Sequence, residues 1–179
     1  MIDAIINVVT QKFMQTGNTD FSEDFDIHRK LMGTGMLPED RLHTTAPEIF
    51  TYPASPDLAA RIDGRELDLN AISDATDALE EKYGNVLIEG AGGLMVPLKG
   101  EYLTIDYMCE HNLPAILVTN GRLGSINHTL LALSALRNAG IRLFAVIYNS
   151  HFDKDKIICE DTRNYIRQWL DRHFPDALY

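Results

Sequence analysis

The chain has 179 residues, of which 45% are hydrophobic and 23% are charged, and its formal net charge at pH 7 is −10. These values are typical of a globular protein, and they exclude a fibrous or a disordered one. The negative charge disfavours binding to nucleic acid, because no basic patch interrupts it. No apolar run reaches the roughly 20 residues that span a bilayer, and the first residues lack the basic start of a secretory signal.

The two cysteines, Cys109 and Cys159, lie far apart in the sequence and form no CxxC pattern. Such isolated cysteines are typical of free thiols in a reducing compartment. Together with the charge and the hydropathy, they predict a cytoplasmic protein that binds neither nucleic acid nor a membrane.

Four short runs rich in apolar and β-branched residues predict strands. None of them alternates cleanly between apolar and polar residues, which is typical of parallel strands covered on both faces. These runs are residues 4–13, 86–88, 115–119 and 143–148.

Helical patterns separate these runs. Thr104 can cap a short helix that ends before Pro114, and Gly140 is placed to close a longer one. The helix that Gly140 closes is predicted over residues 125–139, and the other predicted helices are residues 24–32, 69–83 and 156–173. Because strands and helices alternate, we expect one α/β domain over residues 1–179, with a doubly wound, mostly parallel sheet and helices on both faces.

The segment from Gly33 to Pro56 is the longest irregular region, and it contains four prolines. Long loops in compact domains are often functional, but a plain surface connection explains the segment equally well.

The strongest local motif is VLIEGAGGLMVPL, residues 86–98, in which an apolar strand ends at Glu89 and a run of glycines follows. Ligands of open α/β sheets bind at the carboxyl ends of the strands. An acid beside glycines, which let a ligand approach the backbone, suits a magnesium–nucleotide site. A tight turn with an incidental Glu explains the spacing as well, since the full GxGxxG pattern is absent.

The ordered set of motifs resembles the dethiobiotin synthetase family, within the phosphate-loop ATPases. EGAGG is followed by LxVPL and then by RLGSINHT at 122–129, and the matching pieces extend over residues 8–150. The other pieces are TQKFMQTG at 10–17, an Asp opening a helix at Asp26, YPASPDLAA at 52–60, and Asn149 at the end of the last strand.

This resemblance implies an ATP- and Mg2+-dependent ring-closing ligase of biotin biosynthesis. Such an enzyme carboxylates 7,8-diaminononanoate with CO2, phosphorylates the carbamate, and closes a cyclic urea with loss of phosphate. The resemblance also implies a homodimer.

By resemblance, Lys12 is the catalytic lysine that faces the carbamate, where a cation would stabilise developing negative charge. Thr16 matches a hydroxyl residue that contacts the substrate, although a turn Thr is as good an interpretation. Asp26 and Glu89 match the two carboxylate partners of Mg2+, with Glu89 also near the nucleotide. Asp26 can equally be an acid favoured by the helix dipole. Gly92 matches a glycine that contacts both the substrate and the nucleotide.

The resemblance assigns Gly124, Ser125, Ile126 and Asn127 to the substrate carboxylate, with contributions across the dimer interface. The free N–H groups of a helix start suit an anion, although Ser125 or Asn127 can also be a simple helix cap. Asn149 matches an Asn that reads adenine, and its alternative is a turn residue at the end of a strand.

The chain departs from the family pattern at three places. The family opens with a strand and a GxxxxGK[ST] phosphate loop, and nothing of this kind precedes Lys12. We therefore expect a chain truncated before that loop, lacking the first strand, with doubtful activity by itself. Asp57 stands where the family commonly has His, and the usual closing region after Asn149 is absent.

Two other functions remain open. A non-catalytic dimeric remnant that binds a small carboxylate would fit the absent loop. Another phosphate-loop ATPase or amidoligase would share the fold, but it would lack the paired TQKFMQTG and RLGSINHT segments.

Overall fold

The computed structural model describes residues 7–20, 22 and 24–179. The chain divides into two compact units, residues 1–104 and 105–179, and each unit is described by itself. None of the helices in the described part of the chain combines the length and the hydropathy needed to cross a bilayer.

The first unit alternates short strands with helices. Its strands are β1 (Val9–Lys12), β2 (Gln15–Thr16), β3 (Ile49–Phe50), β4 (Val86–Glu89), β5 (Pro97–Lys99) and β6 (Tyr102–Leu103). Its helices are α1 (Asp24–Met32), α2 (Pro38–Arg41), α3 (Pro56–Ile62) and α4 (Leu69–Tyr83).

The second unit has two longer strands and three helices. The strands are β7 (Ala115–Asn120) and β8 (Leu143–Asn149). The helices are α5 (Thr104–Glu110), which begins at the last residue of the first unit, α6 (Ser125–Asn138) and α7 (Lys156–His173), with a 3-10 turn at Ser150–Phe152.

In the first unit β1 pairs with β4 in parallel, from Val9 opposite Val86 to Lys12 opposite Glu89. The two faces of β1 meet different helices because successive side chains point to opposite faces. Thr10 accepts a hydrogen bond from Arg29 of α1. The fully buried Gln11 accepts one from Thr76 of α4. Helices thus cover both faces of this strand, as in a doubly wound sheet.

A buried ion pair holds α1 in place. Arg29 donates from Nε and Nη2 to the two oxygens of Asp40, at 2.8 and 2.6 Å, and their side chains are 3% and 0% exposed. Burial raises the pKa of Asp40, but the Arg29 guanidinium and the Thr45 hydroxyl outweigh that effect and leave it below the ordinary value. Because Arg29 also bonds Thr10, the pair fixes the rotation of α1 against β1.

In the second unit β7 and β8 pair in parallel, with Asn120 opposite Asn149 at their carboxyl ends. Helices α6 and α7 bury Leu133, Leu136, Ile166 and Leu170. The free edge of β8 is extended by Leu178, which exchanges backbone hydrogen bonds with Phe144 and Val146.

The expected α/β fold with mostly parallel strands is confirmed: among the described strands three pairs are parallel, and only β5–β6 is antiparallel. The region from Gly33 to Pro56 is less irregular than expected, since it contains α2 and β3. Of the first predicted strand, residues 4–6 lie outside the described residues, and β1 begins at Val9.

Candidate active site

The site is built around Lys12, the last residue of β1. Its direct partner across the parallel pair is Glu89, the last residue of β4. Two neighbouring parallel strands that end together bring their last side chains to one edge of the sheet. The pairing therefore places a cation beside an acid at the edge where ligands of such sheets bind.

Lys12 forms two ion pairs. Its Nζ lies 2.7 Å from Oδ2 of Asp24 and 2.9 Å from Oε1 of Glu89, and its side chain is 11% exposed. The two carboxylates are more open, at 37% and 51% exposed. Burial lowers the pKa of Lys12, but the hydrogen bonds to Asp24 and Glu89 outweigh it and raise the pKa above its ordinary value. Lys12 is therefore a cation throughout the physiological pH range.

Asp24, the first residue of α1, is the acid that contacts Lys12. Asp26, the acid that the sequence predicted, is exposed, and its carboxylate has no ion pair or hydrogen bond among the described residues. The two acids differ in direction because each residue turns a helix by about 100°, so Asp26 lies about 200° around α1 from Asp24.

His28 completes the cluster from the next turn of α1. Its Nε2 lies 2.9 Å from Oε2 of Glu89, and its side chain is 16% exposed. Asp24 and His28 are four residues apart, so they lie on the same face of the helix. The four side chains of Lys12, Asp24, His28 and Glu89 are called the acidic centre below.

The glycine run after β4 makes a tight turn. Gly92 has a φ of 88°, and a Cβ added to it would lie 2.8 Å from Cγ2 of Val96. A side chain is therefore excluded at Gly92 by both backbone and space. By contrast, Gly90 and Gly93 face open space, so a ligand can approach the backbone there.

Thr16 lies in β2, directly opposite Phe50 of β3, and is half-buried. Its carbonyl accepts a hydrogen bond from Gln15 Nε2, and Gly17 follows it with a φ of 84°. Thr16 is therefore a strand residue rather than the turn Thr of the alternative interpretation.

In the second unit, the predicted anion site lies at the start of α6. Gly124 is the N-cap with a φ of 89°, and no side chain caps the helix. The hydroxyl of Ser125 instead donates to the carbonyl of Asn120, at the end of β7, and lies 3.3 Å from the hydroxyl of Thr119. Ser125 therefore ties the helix start to the strand, and neither it nor Asn127 is the cap.

Ile126 and Asn127 occupy the first turn of α6, where the geometry of an α-helix gives the N–H groups no intrahelical acceptor. Asn127 is exposed and Ile126 is half-buried. Their N–H groups and the helix dipole make this end favourable for an anion.

Asn149 ends β8 and is exposed. Its Oδ1 accepts a hydrogen bond of 2.9 Å from the backbone N–H of His151, which caps the 3-10 turn. The side-chain oxygen of Asn149 therefore stabilises the turn at the end of β8, as the alternative interpretation expected.

Asp57 stands where the family commonly has His. It lies in the first turn of α3. It accepts hydrogen bonds from the backbone of Gly100 at 3.1 Å and from Arg61 at 3.2 Å. This carboxylate is thus used to join α3 to the turn after β5.

Within the described part of the chain, no group of three or more His, Cys, Asp and Glu side chains is arranged to hold a metal ion. Mg2+, however, binds proteins through one or two carboxylates and completes its shell with water and phosphate oxygens. Asp24 and Glu89 fit that requirement, because both contact the same ammonium nitrogen and both remain partly open to solvent.

Sequence reasoning missed Asp24 and His28. The four-residue spacing of Asp24 and His28 could have indicated that both side chains lie on one face of a helix. Arg29, the next residue, could have indicated an ion pair that fixes that helix.

Comparisons with known proteins find a family model and relatives that match most of the chain. A family model described as an AAA domain matches residues 5–172. The ATP-dependent dethiobiotin synthetase BioD 2 of Pasteurella multocida is 44% identical over 173 residues, which cover 97% of this chain and 81% of that protein.

Two further relatives show the same similarity. The ATP-dependent dethiobiotin synthetase BioD 2 of Haemophilus influenzae is 47% identical, covering 85% of this chain and 80% of its own length. The ATP-dependent dethiobiotin synthetase BioD of Chlorobaculum tepidum is 46% identical, covering 92% of this chain and 69% of its own length.

Proposed function

Because this chain belongs to the dethiobiotin synthetase family, we propose that it acts in biotin biosynthesis as an ATP- and Mg2+-dependent ring-closing ligase. Its substrates are 7,8-diaminononanoate and CO2, and its product is the cyclic urea dethiobiotin. The relatives' names supply the ATP dependence and dethiobiotin as the product, and the family resemblance supplies the substrates and Mg2+. The acidic centre supplies the support from this chain's own residues.

The observation that carries the proposal is the placement of Lys12. A raised pKa keeps it cationic, and it stands at the carboxyl end of β1 among partly open acids. A carbamate and its phosphorylated form are both anionic, so a fixed cation at this point would stabilise the charge that develops during phosphoryl transfer. Lys12 is the residue to which we assign that catalytic role.

We assign the Mg2+ partners to Asp24 and Glu89. Sequence resemblance pointed to Asp26 for the first of these, but Asp24 is the acid that contacts Lys12. Bound Mg2+ would neutralise phosphate charge during transfer. In its absence the ammonium of Lys12 partly neutralises the two acids.

The remaining contacts are proposed from the resemblance together with local geometry. Gly92, beside the open backbone of Gly90 and Gly93, accommodates nucleotide and substrate. Thr16 contacts the substrate, and Asn149 contacts adenine through its amide. The start of α6, from Gly124 to Asn127, holds the substrate carboxylate, and the N–H groups of Ile126 and Asn127 are the donors.

We propose a homodimer that acts in the cytoplasm, with α6 at the interface. Leu131 on this helix is 62% exposed, and Leu123 just before it is 99% exposed. Large exposed apolar side chains are favourable contacts for a second copy of the chain.

The test is mass-spectrometric detection of dethiobiotin after incubation with 7,8-diaminononanoate, bicarbonate, ATP and Mg2+. The assay is run on this chain and on a version extended at its N terminus by a strand and a GxxxxGK[ST] loop. Lys12→Met and Asp24→Asn are compared with the exposed control Asp26→Asn in both backgrounds.

We expect product from the extended version, loss of product in Lys12→Met and Asp24→Asn, and retention in Asp26→Asn. Removal of an electrostatic donor of this kind typically costs about 10²–10³ in rate. No product from the extended version, or full activity of its Lys12→Met variant, would contradict the proposed function.

A further inference from the structure

Lys12, Asp24 and Glu89 account for the charges of the acidic centre, but His28 has no part in the reaction proposed above. Its Nε2 lies 2.9 Å from Oε2 of Glu89, whereas Lys12 contacts the other oxygen, Oε1, at 2.9 Å. The carboxylate of Glu89 is thus held from both sides, one oxygen by a cation and the other by an imidazole.

The imidazole donates in this contact, because a carboxylate accepts hydrogen bonds. The proton of a neutral ring must then lie on Nε2. The other ring nitrogen, Nδ1, is buried and has no hydrogen-bond partner among the described residues. A proton on Nδ1 would be buried without an acceptor, so the surroundings of both nitrogens favour the same tautomer.

The ring cannot easily turn away from Glu89. Its side chain is 16% exposed, and it lies edge-on to the ring of Phe25, with 6.1 Å between the centroids. Helix α1 is itself fixed by the buried pair of Arg29, the next residue, with Asp40. His28 is therefore a donor in a fixed position, whereas Glu89 is half exposed and has a flexible side chain.

We propose that His28 is a positioning residue that orients the carboxylate of Glu89, so that one oxygen is held by the helix and the other faces Lys12 and the metal position. The part of this inference that concerns metal rests on the proposed function. Partners of this kind, which hold a metal-binding carboxylate without touching the metal, typically change metal affinity about 10–100-fold when removed.

The first arm of the test needs no metal. In protein labelled with 15N at histidine, the long-range 1H–15N spectrum should show His28 protonated at Nε2 alone. Glu89→Ala, which removes the acceptor, should shift the Nε2 signal of His28, whereas Lys30→Ala, an exposed change on the same helix, should not. An Nδ1-protonated ring, or a His28 signal unaffected by Glu89→Ala, would overturn the proposal.

The second arm titrates the original chain and three variants with Mn2+ as a stand-in for Mg2+. His28→Leu should weaken Mn2+ binding about tenfold, within the range given above for such partners. His28→Gln, whose amide can donate from nearly the position of Nε2, should restore binding to within about threefold of the original chain. Lys30→Ala should leave the affinity unchanged.

The two arms separate the failure of this inference from the failure of the proposed function. Equal Mn2+ affinity in His28→Leu and the original chain would overturn the positioning role. An original chain with the expected His28 spectrum but no response to Mn2+ would support the orientation of Glu89 by His28. That second result would count against the proposed metal site.

Discussion

The Nζ of Lys12 lies 2.9 Å from Oε1 of Glu89, and the two residues are also direct partners in the parallel pairing of β1 with β4. The backbone register and the side-chain ion pair thus both hold Lys12 next to Glu89. A shift of one residue in the register would turn Lys12 to the other side of the sheet, because side chains alternate along a strand. The acidic centre therefore depends on correct pairing of these two strands.

Replacement of Lys12 by Met should destabilise the first unit by roughly 1–3 kcal/mol at neutral pH, between the ranges typical of exposed and buried ion pairs. The substitution leaves the acids of Asp24 and Glu89 facing each other without a cation. Urea unfolding of the two proteins measures the difference. Lys30→Met, on the exposed side of α1, is the matched control and should change stability little.

The same pair gives a pH prediction. The pKa of Lys12 is raised in the folded state, so its stabilising contribution is present below the ordinary value of 10.5 and is lost as the pH rises through the higher folded value. The difference in unfolding free energy between the original chain and Lys12→Met should therefore narrow in the alkaline range. A difference that stays constant there would show that Lys12 is not the titrating partner.

Replacement of Arg29 by Met should cost about 3–5 kcal/mol, because it leaves the fully buried acid of Asp40 without its partner. The double variant Arg29→Met with Asp40→Leu should recover most of this loss, since no charge is then left buried. Chemical unfolding of the two single variants and the double variant gives the coupling energy. Additive losses would mean that the two side chains do not stabilise each other.

Replacement of Gly121 by Ala should destabilise the second unit by about 1–3 kcal/mol, the usual cost of overpacking. The added Cβ would lie 2.5 Å from Oδ1 of Asp153 and 2.7 Å from Sγ of Cys159, and it would also meet the hydroxyl of Tyr148. Gly35→Ala is the control, since nothing lies within 4 Å of its added Cβ. Equal thermal unfolding of the two variants would contradict the close packing around Gly121.

Replacement of Leu131 by Asp tests the proposed dimer. The exposed Leu131 contributes little to the core of its own unit, so the folded monomer should survive while association weakens. Light scattering should give twice the chain mass for the original protein and the monomer mass for the variant. A monomer in the original chain at micromolar concentration would contradict the proposal.

Much of the fold could be predicted from the sequence, because the periodic apolar pattern and the capping residues indicate the same helix bounds. Helices α4 and α7 have the predicted bounds, and Asp68 and Asp155 cap them by accepting N–H bonds of the first turn. Glu89 could also be found, because it follows an apolar strand and precedes a run of glycines, whereas Lys12 was identified by its resemblance to the family lysine.

The choice between Asp24 and Asp26 could not be made in this way. Both lie in the first turn of α1, and only the rotation of that helix decides which acid faces β1. That rotation is set by Arg29 and Asp40, eleven residues apart, and Asp40 lies in a segment whose pattern gave no helix. The partnership of His28 with Glu89 joins residues 61 apart, so the spacing of His28 and Asp24 on one helix does not indicate that Glu89 is its partner.

The most direct test of the account is a map of Mn2+-induced line broadening in the backbone 1H–15N spectrum. If Asp24 and Glu89 form the metal site beside Lys12, amide signals at the ends of β1 and β4 and at the start of α1 should broaden first. Asp24→Asn should abolish this pattern, and Asp26→Asn should leave it intact. Broadening centred elsewhere, or lost in Asp26→Asn but kept in Asp24→Asn, would contradict the account.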